Sequence, residues 1–273
     1  MSNLCLIGLS KRGMALKAFS SVFKSKVAVK LLWGVSSASD LLEMLKEVLI
    51  MTSLQHLCLI SLKHLACVGP YTYAVVTDLM DMSLKGLLDS GRSYSQEHIQ
   101  LIIYQVVLAL RHVNAAGVAH TAVGLNTVLM NATCDVKLCG FQGCTQHDAP
   151  LRECKWVTRV LPPEQCSQAT EKLDVYQTGL LFLSLLLRQD ITNPTSLCAY
   201  LPSIPALERD LAEQFLAPDP CARITFQAAL SHSYFASLDL EPEESTPTPI
   251  NLNRLEKLNE QDLERELALE LSN

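Results

Sequence analysis

Apolar residues recur along this chain with two different spacings. Short runs rich in β-branched residues predict strands, and apolar residues three and four positions apart predict helices. The predicted helices of the first half cover residues 39–54 and 95–116, and Ser95 supplies the start signal of the second. The predicted strands cover residues 4–8, 27–31, 73–77, 128–130 and 136–139.

The second half of the chain is predicted to be mainly helical. Helical spacing begins at Asp174, and the longest apolar run, residues 179–187, is too short for a membrane span of about 20 residues, so we expect a buried core helix. The polar, proline-containing stretch 241–249 predicts a linker. Residues 252–271 predict an amphipathic helix that packs back on the body. The expected order is a small β-rich lobe with one helix, then a larger helical lobe.

Composition and charge narrow the class of protein. A chain of 273 residues with 49% hydrophobic and 18% charged residues is typical of a folded globule. The net charge of -6 and the lack of a strong basic patch argue against a nucleic-acid partner. After residue 236 there are ten acidic and three basic residues. This tail is either a docking surface for basic peptides or the solvated face of an amphipathic helix.

The cysteines indicate a reducing compartment. None of the ten forms a Cys-x-x-Cys pair, and no histidine cluster has zinc spacing. The first residues lack a basic region before an apolar core. We therefore expect buried, reduced thiols in a cytoplasmic protein, with the nucleus as a second compartment and no membrane partner.

Several short motifs follow one another in an order that resembles protein kinases. Lys30 ends a β-branched strand, Glu47 lies in the next predicted helix, and Thr77 stands at the gatekeeper position. Each motif is weak alone, but their order and spacing are specific, and the likeness covers nearly the whole chain. The stretches that carry it are residues 27–30, 46–51, 75–80, 162–164, 174–179 and 216–225.

Four further phrases resemble the MAP kinases, with the stress-activated branch as the nearest group. They are residues 78–81, 103–105, 157–159 and 223–235. The resemblance implies an α+β, bilobal kinase-like fold over residues 1–235. The N-lobe would span about 1–80 and the C-lobe about 81–235, followed by an acidic linker and a returning helix at 236–273. The stretch between Arg188 and Glu208 is short for the family, so either the C-lobe is trimmed or the fold is compromised.

The resemblance also marks the positions where the chemistry departs from the family. It places the catalytic base at Ala122, a lysine at Gly124, and the two magnesium ligands at Thr127 and Gly140. A methyl group cannot accept a proton, and phosphoryl transfer depends on charges at the other positions. Substitute ligands from Asp135 or Asn126 remain an alternative.

The same resemblance implies a nucleotide pocket. Ser10 replaces the middle glycine of the phosphate loop, so this segment is either a degraded loop or an ordinary β-turn. The Lys30–Glu47 pair belongs either to an ATP site without magnesium or to a structural salt bridge. The pocket residues implied are Gly8, Gly13, Ala28, Lys30, Glu47, Thr77, Asp78, Met80 and Leu129.

Other matched positions concern packing and regulation. His120, Phe141 and Met51 resemble the family's hydrophobic spine, and Glu164 with Arg223 resembles its buried ion pair. The arginine that gathers a phosphorylated loop in the family is replaced here by a threonine at position 121, and no Thr-x-Tyr pair follows.

The predicted function is that of a catalytically inactive, MAP-kinase-like pseudokinase that acts by binding proteins. Its expected partners are kinase-cascade proteins with basic-hydrophobic docking motifs. The alternatives are a weakly active Ser/Thr kinase and a nucleotide-binding switch without transfer. The candidate docking residues are Asp239, Glu241, Glu243 and Glu244.

Overall fold

A computed structural model describes most of the chain. The described residues are 4–10, 13–154, 159–164, 166–191, 200–238 and 246–272.

The small lobe is a five-stranded antiparallel sheet with the strand order β1-β2-β3-β5-β4. Its strands are β1 (Cys5–Ser10), β2 (Gly13–Ser20), β3 (Ser25–Trp33), β4 (Leu62–Gly69) and β5 (Thr72–Asp78). Helix α1 (Ala38–Ser53) lies between β3 and β4 in the chain. The side chain of Ser37 caps α1 by accepting a hydrogen bond from the Asp40 amide at 3.2 Å.

The large lobe is mainly helical. The helix Gln96–Ala115 begins with a reciprocal capping box formed by Ser95 and His98. The helices are α2 (Leu84–Asp89), α3 (Gln96–Ala115), α4 (Glu171–Leu187), α5 (Ala206–Phe215) and α6 (Phe226–Leu230). Helix α4 carries the apolar run and is buried almost throughout. None of the helices in the described ranges is both long and apolar enough to span a bilayer.

Short strands shape the loops that face the small lobe. They are β6 (Met82–Ser83), β7 (Val118–Ala119), β8 (Val128–Met130), β9 (Val136–Leu138) and β10 (Thr145–Gln146). Strand β8 pairs with both β6 and β9, and β10 pairs with β7. These pairings fix the two ends of residues 120–127 and the segment that begins at Gly140.

The C-terminal segment packs against the small lobe. It forms α7 (Asn253–Glu256) and α8 (Glu260–Ser272), which contact α1, and α8 also contacts β4. Glu256 accepts a hydrogen bond from Lys46 of α1 at 2.6 Å and lies 3.5 Å from Arg152. Because Lys46 is buried, this contact ties the tail to the middle of α1.

The predicted α+β bilobal architecture is confirmed. Predicted elements agree with the observed ones within a few residues, except that the closing helix is interrupted between α7 and α8. Strands β2 and β4 were not predicted. Residues 246–250 are neither helix nor strand, and the rest of the predicted linker, 241–245, lies outside the described residues.

Candidate catalytic and nucleotide cleft

The best-defined polar contact between the sheet and α1 joins Lys30 to Glu47. Strand β3 places Lys30 opposite Val75 of β5, and α1 brings Glu47 within reach. The Lys30 Nζ lies 3.0 Å from both carboxylate oxygens of Glu47. Gln142 adds a third donor, because its Nε2 lies 2.7 Å from Glu47 Oε2. The glutamate is therefore buried with three hydrogen bonds to its charge.

Residues 120–127 form a loop in which the predicted catalytic position is a methyl group. The hydroxyl of Thr127 donates to the Ala122 carbonyl at 2.9 Å and accepts from the Gly124 amide at 3.0 Å. A third contact joins it to the Gly124 carbonyl at 3.2 Å. The Thr127 oxygen is thus used to close the loop on itself.

Gly140 adopts a backbone conformation that suits glycine. Its φ of +87° is left-handed, and a Cβ placed there would lie 2.8 Å from Thr127 Cγ2. The two positions that hold magnesium in the family are therefore packed against each other. Neither carries a carboxylate or an amide, so the residues present do not fit a magnesium ion.

The proposed substitute ligands have other surroundings. The Asp135 carboxylate accepts from Asn131 Nδ2 at 2.8 Å and from Thr133 Oγ1 at 2.7 Å within the β8–β9 turn. Asn126 lies within the loop of residues 120–127 and is exposed. Across the described part of the chain, no group of three or more His, Cys, Asp or Glu side chains could hold a metal.

Asp174 supports the loop from beneath. Its carboxylate accepts from the amides of His120 at 2.8 Å and Thr121 at 2.7 Å, where Thr121 has a φ of +66°. Burial raises the pKa of Asp174 to about 6, although these hydrogen bonds act in the opposite direction. A side-chain acceptor thus holds a strained backbone turn in the core.

His120 occupies the core as a neutral ring. Burial lowers the pKa of His120 to about 4. Its Nδ1 accepts from the Ala122 amide at 3.3 Å, so Nε2 is the donor to the Cys139 carbonyl at 3.0 Å. The Phe141 ring packs edge-on against it, with centroids 5.5 Å apart. His120, Phe141 and Met51 are all buried, as the spine resemblance leads one to expect.

Arg159 connects the loop of residues 120–127 with Gly143. Its Nε donates to Thr121 Oγ1 at 2.8 Å, and its Nη2 donates to the Gly143 carbonyl at 2.7 Å. Its Nη1 donates to the Arg152 carbonyl. Arg159 therefore joins Thr121, Gly143 and Arg152 through neutral acceptors.

Sequence reasoning did not single out Gln142 or Arg159 as functional residues. Gln142 could have been found as a departure from the family, because the resemblance implies a glycine at the position after Phe141. The signal for Arg159 was the phrase Val157-Thr158-Arg159, which was used only as a family marker.

The residues that the resemblance assigns to the adenine side of a nucleotide pocket lie in the sheet and just after it, and on β8. Ala28 pairs with Thr77 in the sheet, and the Thr77 hydroxyl donates to the Asp78 carbonyl at 3.2 Å. The Asp78 carboxylate is paired with Lys63 at 2.8 Å. Met80 and Leu129 are partly buried on the large-lobe side.

The predicted phosphate loop is the hairpin between β1 and β2. Gly8 lies opposite Ala15, and Gly13 lies opposite Ser10. A Cβ at Gly13 would lie 2.5 Å from the Leu31 carbonyl oxygen, so close strand packing accounts for this glycine. The hairpin geometry is compatible with both interpretations of the segment.

The brace of the large lobe is a bidentate ion pair. The Arg223 Nη1 and Nη2 each lie 2.7 Å from a different oxygen of Glu164. The guanidinium also stacks 4.8 Å from the Tyr176 ring centroid. In contrast, the candidate docking residues Asp239, Glu241, Glu243 and Glu244 lie outside the described residues.

Comparison with known proteins agrees with this geometry. Residues 2–235 match the family model for the protein kinase domain. The chain belongs to the protein kinase domain family. It is also similar to mitogen-activated protein kinases, so the predicted MAP-kinase likeness is confirmed. The narrower likeness to the stress-activated branch stays a prediction.

Three relatives illustrate the extent of the similarity. The chain is 25% identical to "Mitogen-activated protein kinase homolog NTF6" of Nicotiana tabacum over 90% of the chain and 81% of that protein. It is 25% identical to "Mitogen-activated protein kinase 4a" of Physcomitrium patens, over 90% and 80% of the two chains. It is 25% identical to "Mitogen-activated protein kinase 14" of Arabidopsis thaliana, over 97% and 87%.

Proposed function

We propose that this MAP-kinase-like protein does not transfer phosphate and acts by binding proteins of kinase cascades. The observation that carries the proposal is the contact between Thr127 and Gly140. The threonine hydroxyl is used by the loop, and a side chain at position 140 would meet the threonine methyl. The positions that orient the metal in an active kinase are thus filled by packing.

The loss of the catalytic base supports the same proposal. Ala122 offers no proton acceptor, and phosphoryl transfer depends almost entirely on positioning and charge stabilisation. Losses at the base and at the metal positions therefore multiply. The retained contacts of Asp174 and of Arg223 with Glu164 stabilise the fold rather than the reaction.

A groove in the large lobe supports the binding role. It has a volume of about 330 Å³. Its lining combines apolar residues with polar ones: Tyr104, Leu230, Phe235, Ala236 and Leu238, and Arg111, Gln227, Ser231 and His232. The acidic residues 239–244 follow Leu238 directly in the sequence. The apolar part of the groove suits hydrophobic side chains of a peptide, and the acidic residues that follow in the sequence suit its basic ones. The proposed partners are therefore cascade proteins with such motifs, in the cytoplasm or nucleus.

One observation favours the nucleotide-binding switch as a second candidate. The Lys30 Nζ keeps two 3.0 Å contacts with Glu47 at the edge of the cleft. An ATP phosphate placed there would meet this lysine without needing magnesium. The alternative of weak kinase activity lacks a comparable observation.

The proposal that phosphate is not transferred is tested with radiolabelled ATP. Wild type and Lys30→Ala are assayed with a generic protein substrate in magnesium and in manganese. We expect the same background labelling for both proteins, because the base and metal positions are empty of suitable groups. Wild-type labelling that Lys30→Ala abolishes would show an active kinase and overturn the proposal.

The binding role needs a separate experiment. Glu241→Lys, Glu243→Lys and Glu244→Lys are combined, and binding of a basic-hydrophobic peptide is measured by fluorescence anisotropy. A matched control reverses three exposed acids outside the tail, Asp89, Glu153 and Glu213. We expect the first variant to lose at least about tenfold in affinity and the control to lose much less. Equal binding by both variants and wild type would rule out docking at this segment.

A further inference from the structure

Gln142 makes a buried contact between the two lobes. It lies in the 3-10 turn Phe141–Gly143 of the large lobe, and Glu47 lies in α1 of the small lobe. Both residues are 4% exposed, and their side chains meet at 2.7 Å. A short hydrogen bond from an amide to a buried carboxylate is charge-assisted, and it is stronger than a hydrogen bond between two neutral groups.

The other partner of Glu47 cannot join the lobes. Lys30 is on β3, so its 3.0 Å contacts with Glu47 stay within the small lobe. Gln142 therefore provides the lobe-to-lobe part of this network. Its amide supplies a donor without adding charge, and it shares Glu47 Oε2 with the lysine.

The turn that carries Gln142 is itself held by the large lobe. On one side, the Phe141 ring packs against His120. On the other side, the Gly143 carbonyl accepts from Thr121 Oγ1 at 2.8 Å and from Arg159 Nη2 at 2.7 Å. Because both neighbours of Gln142 are fixed, its amide can position α1 and does not merely follow it.

We propose that Gln142 is a latch that holds α1 against the large lobe without nucleotide or metal. The family resemblance implies a glycine at position 142. Gly140, which stands where the family has a metal ligand, lies two residues earlier. This inference holds whether or not the chain transfers phosphate.

Charged residues of both signs surround the latch. A cavity of about 280 Å³ borders Gln142, between α1, the segment after Gly143 and the C-terminal helices. Its charged lining residues are Glu43, Lys46, Arg152, Glu153, Arg159 and Glu256. Both signs are present, so a variant that changes the charge at position 142 is best compared with an uncharged variant.

The test is hydrogen exchange of the full chain without nucleotide or metal. Gln142→Leu removes the donor at similar size, and Gln142→Glu places a second carboxylate against Glu47. Gln168→Glu adds the same charge at an exposed glutamine and serves as the control. We expect the slow amides of α1 to exchange at least about tenfold faster in both latch variants, while those of α3 stay unchanged. The control should match wild type.

A rescue variant separates a direct latch from general packing. Glu47→Gln combined with Gln142→Glu recreates an amide–carboxylate contact with the partners exchanged. We expect its α1 exchange to return at least partway to the wild-type rate, below that of Gln142→Glu alone. Unchanged α1 exchange in both single latch variants would overturn the proposal. An equal rise in α1 and α3, or no rescue, would also overturn it.

Discussion

Thr127 and Gly140 fit each other at the scale of single residues. The Thr127 hydroxyl is held by contacts with Ala122 and Gly124, so its methyl group cannot rotate away without losing them. That methyl would lie 2.8 Å from a Cβ at position 140, where φ is +87°. Steric crowding and backbone strain therefore act together at Gly140.

This contact predicts that Gly140→Ala is destabilising. We expect the free energy of unfolding to fall by about 1–3 kcal/mol, measured by urea denaturation. Gly124→Ala is the matched control, because a Cβ there meets nothing within 4 Å and its φ is not left-handed. If the two variants were equally stable, the predicted packing of Gly140 against Thr127 would be wrong.

Asp174 predicts a specific dependence of stability on pH. Burial raises the pKa of Asp174 from 3.8 to about 6 in the folded protein. The folded state then binds the proton more tightly than the unfolded state. The contribution of this residue is therefore largest below pH 4 and decreases as the pH rises through 6.

The change is measured against Asp174→Asn, which has no such titration. We expect the stability of wild type relative to this variant to fall by about 2 kcal/mol between pH 4 and pH 7. Other groups titrate in both proteins, so their effects cancel in the difference between the two unfolding free energies. The loss of one acceptor oxygen in the variant shifts this difference by the same amount at both pH values. A difference that stays flat, or that grows with pH, would contradict the raised pKa.

At the scale of elements, helix α8 buries one of its faces and exposes another. Leu263 and Leu267 are buried, whereas Leu269 on the same helix is 63% exposed. We expect Leu263→Ala to lower the free energy of unfolding by about 2–5 kcal/mol, because it leaves a cavity beside the body. Leu269→Ala should change it by less than about 0.5 kcal/mol. Thermal and urea denaturation of both variants would check this, and equal losses would mean that α8 is not docked as described.

The elements also show how far sequence reasoning reaches. Helix α3 was predicted nearly to the residue, because an isoleucine and valine stripe follows the cap at Ser95. The break before α8 was missed although the sequence carries a signal, since Asn259 Oδ1 caps the Asp262 amide at 3.0 Å. Strand β2 was missed because its mixed residues owe their conformation to pairing with β1 and β3.

Part of the candidate site could be predicted from the sequence, and part could not. Ala122, Thr127 and Gly140 were identified from motif order alone, since those positions are set by short local phrases. The contact of Gln142 with Glu47 joins residues 95 positions apart in the sequence. Such a contact depends on how the lobes close, and no local pattern encodes it.

At the scale of the whole molecule, helix α1 has polar contacts with both the large lobe and the C-terminal tail. Gln142 binds Glu47, and Glu256 binds Lys46 at 2.6 Å while lying 3.5 Å from Arg152. Both connections end on neighbouring residues of α1. Nucleotide is therefore not needed to position this helix, and any nucleotide effect should come from direct contacts such as that with Lys30.

This arrangement predicts that magnesium does not strengthen an effect of ATP. A ligand that binds only the folded state stabilises it by RT ln(1 + [L]/Kd), so tighter binding gives a larger rise in melting temperature. Because Thr127 and Gly140 do not fit a metal, we expect the same melting temperature with ATP and magnesium as with ATP and a chelator. Lys30→Ala is the control, and it should abolish any shift that ATP produces. A shift that grows when magnesium is added would show that the cleft coordinates the metal, and the proposal of a protein without phosphoryl transfer would then lose its main support.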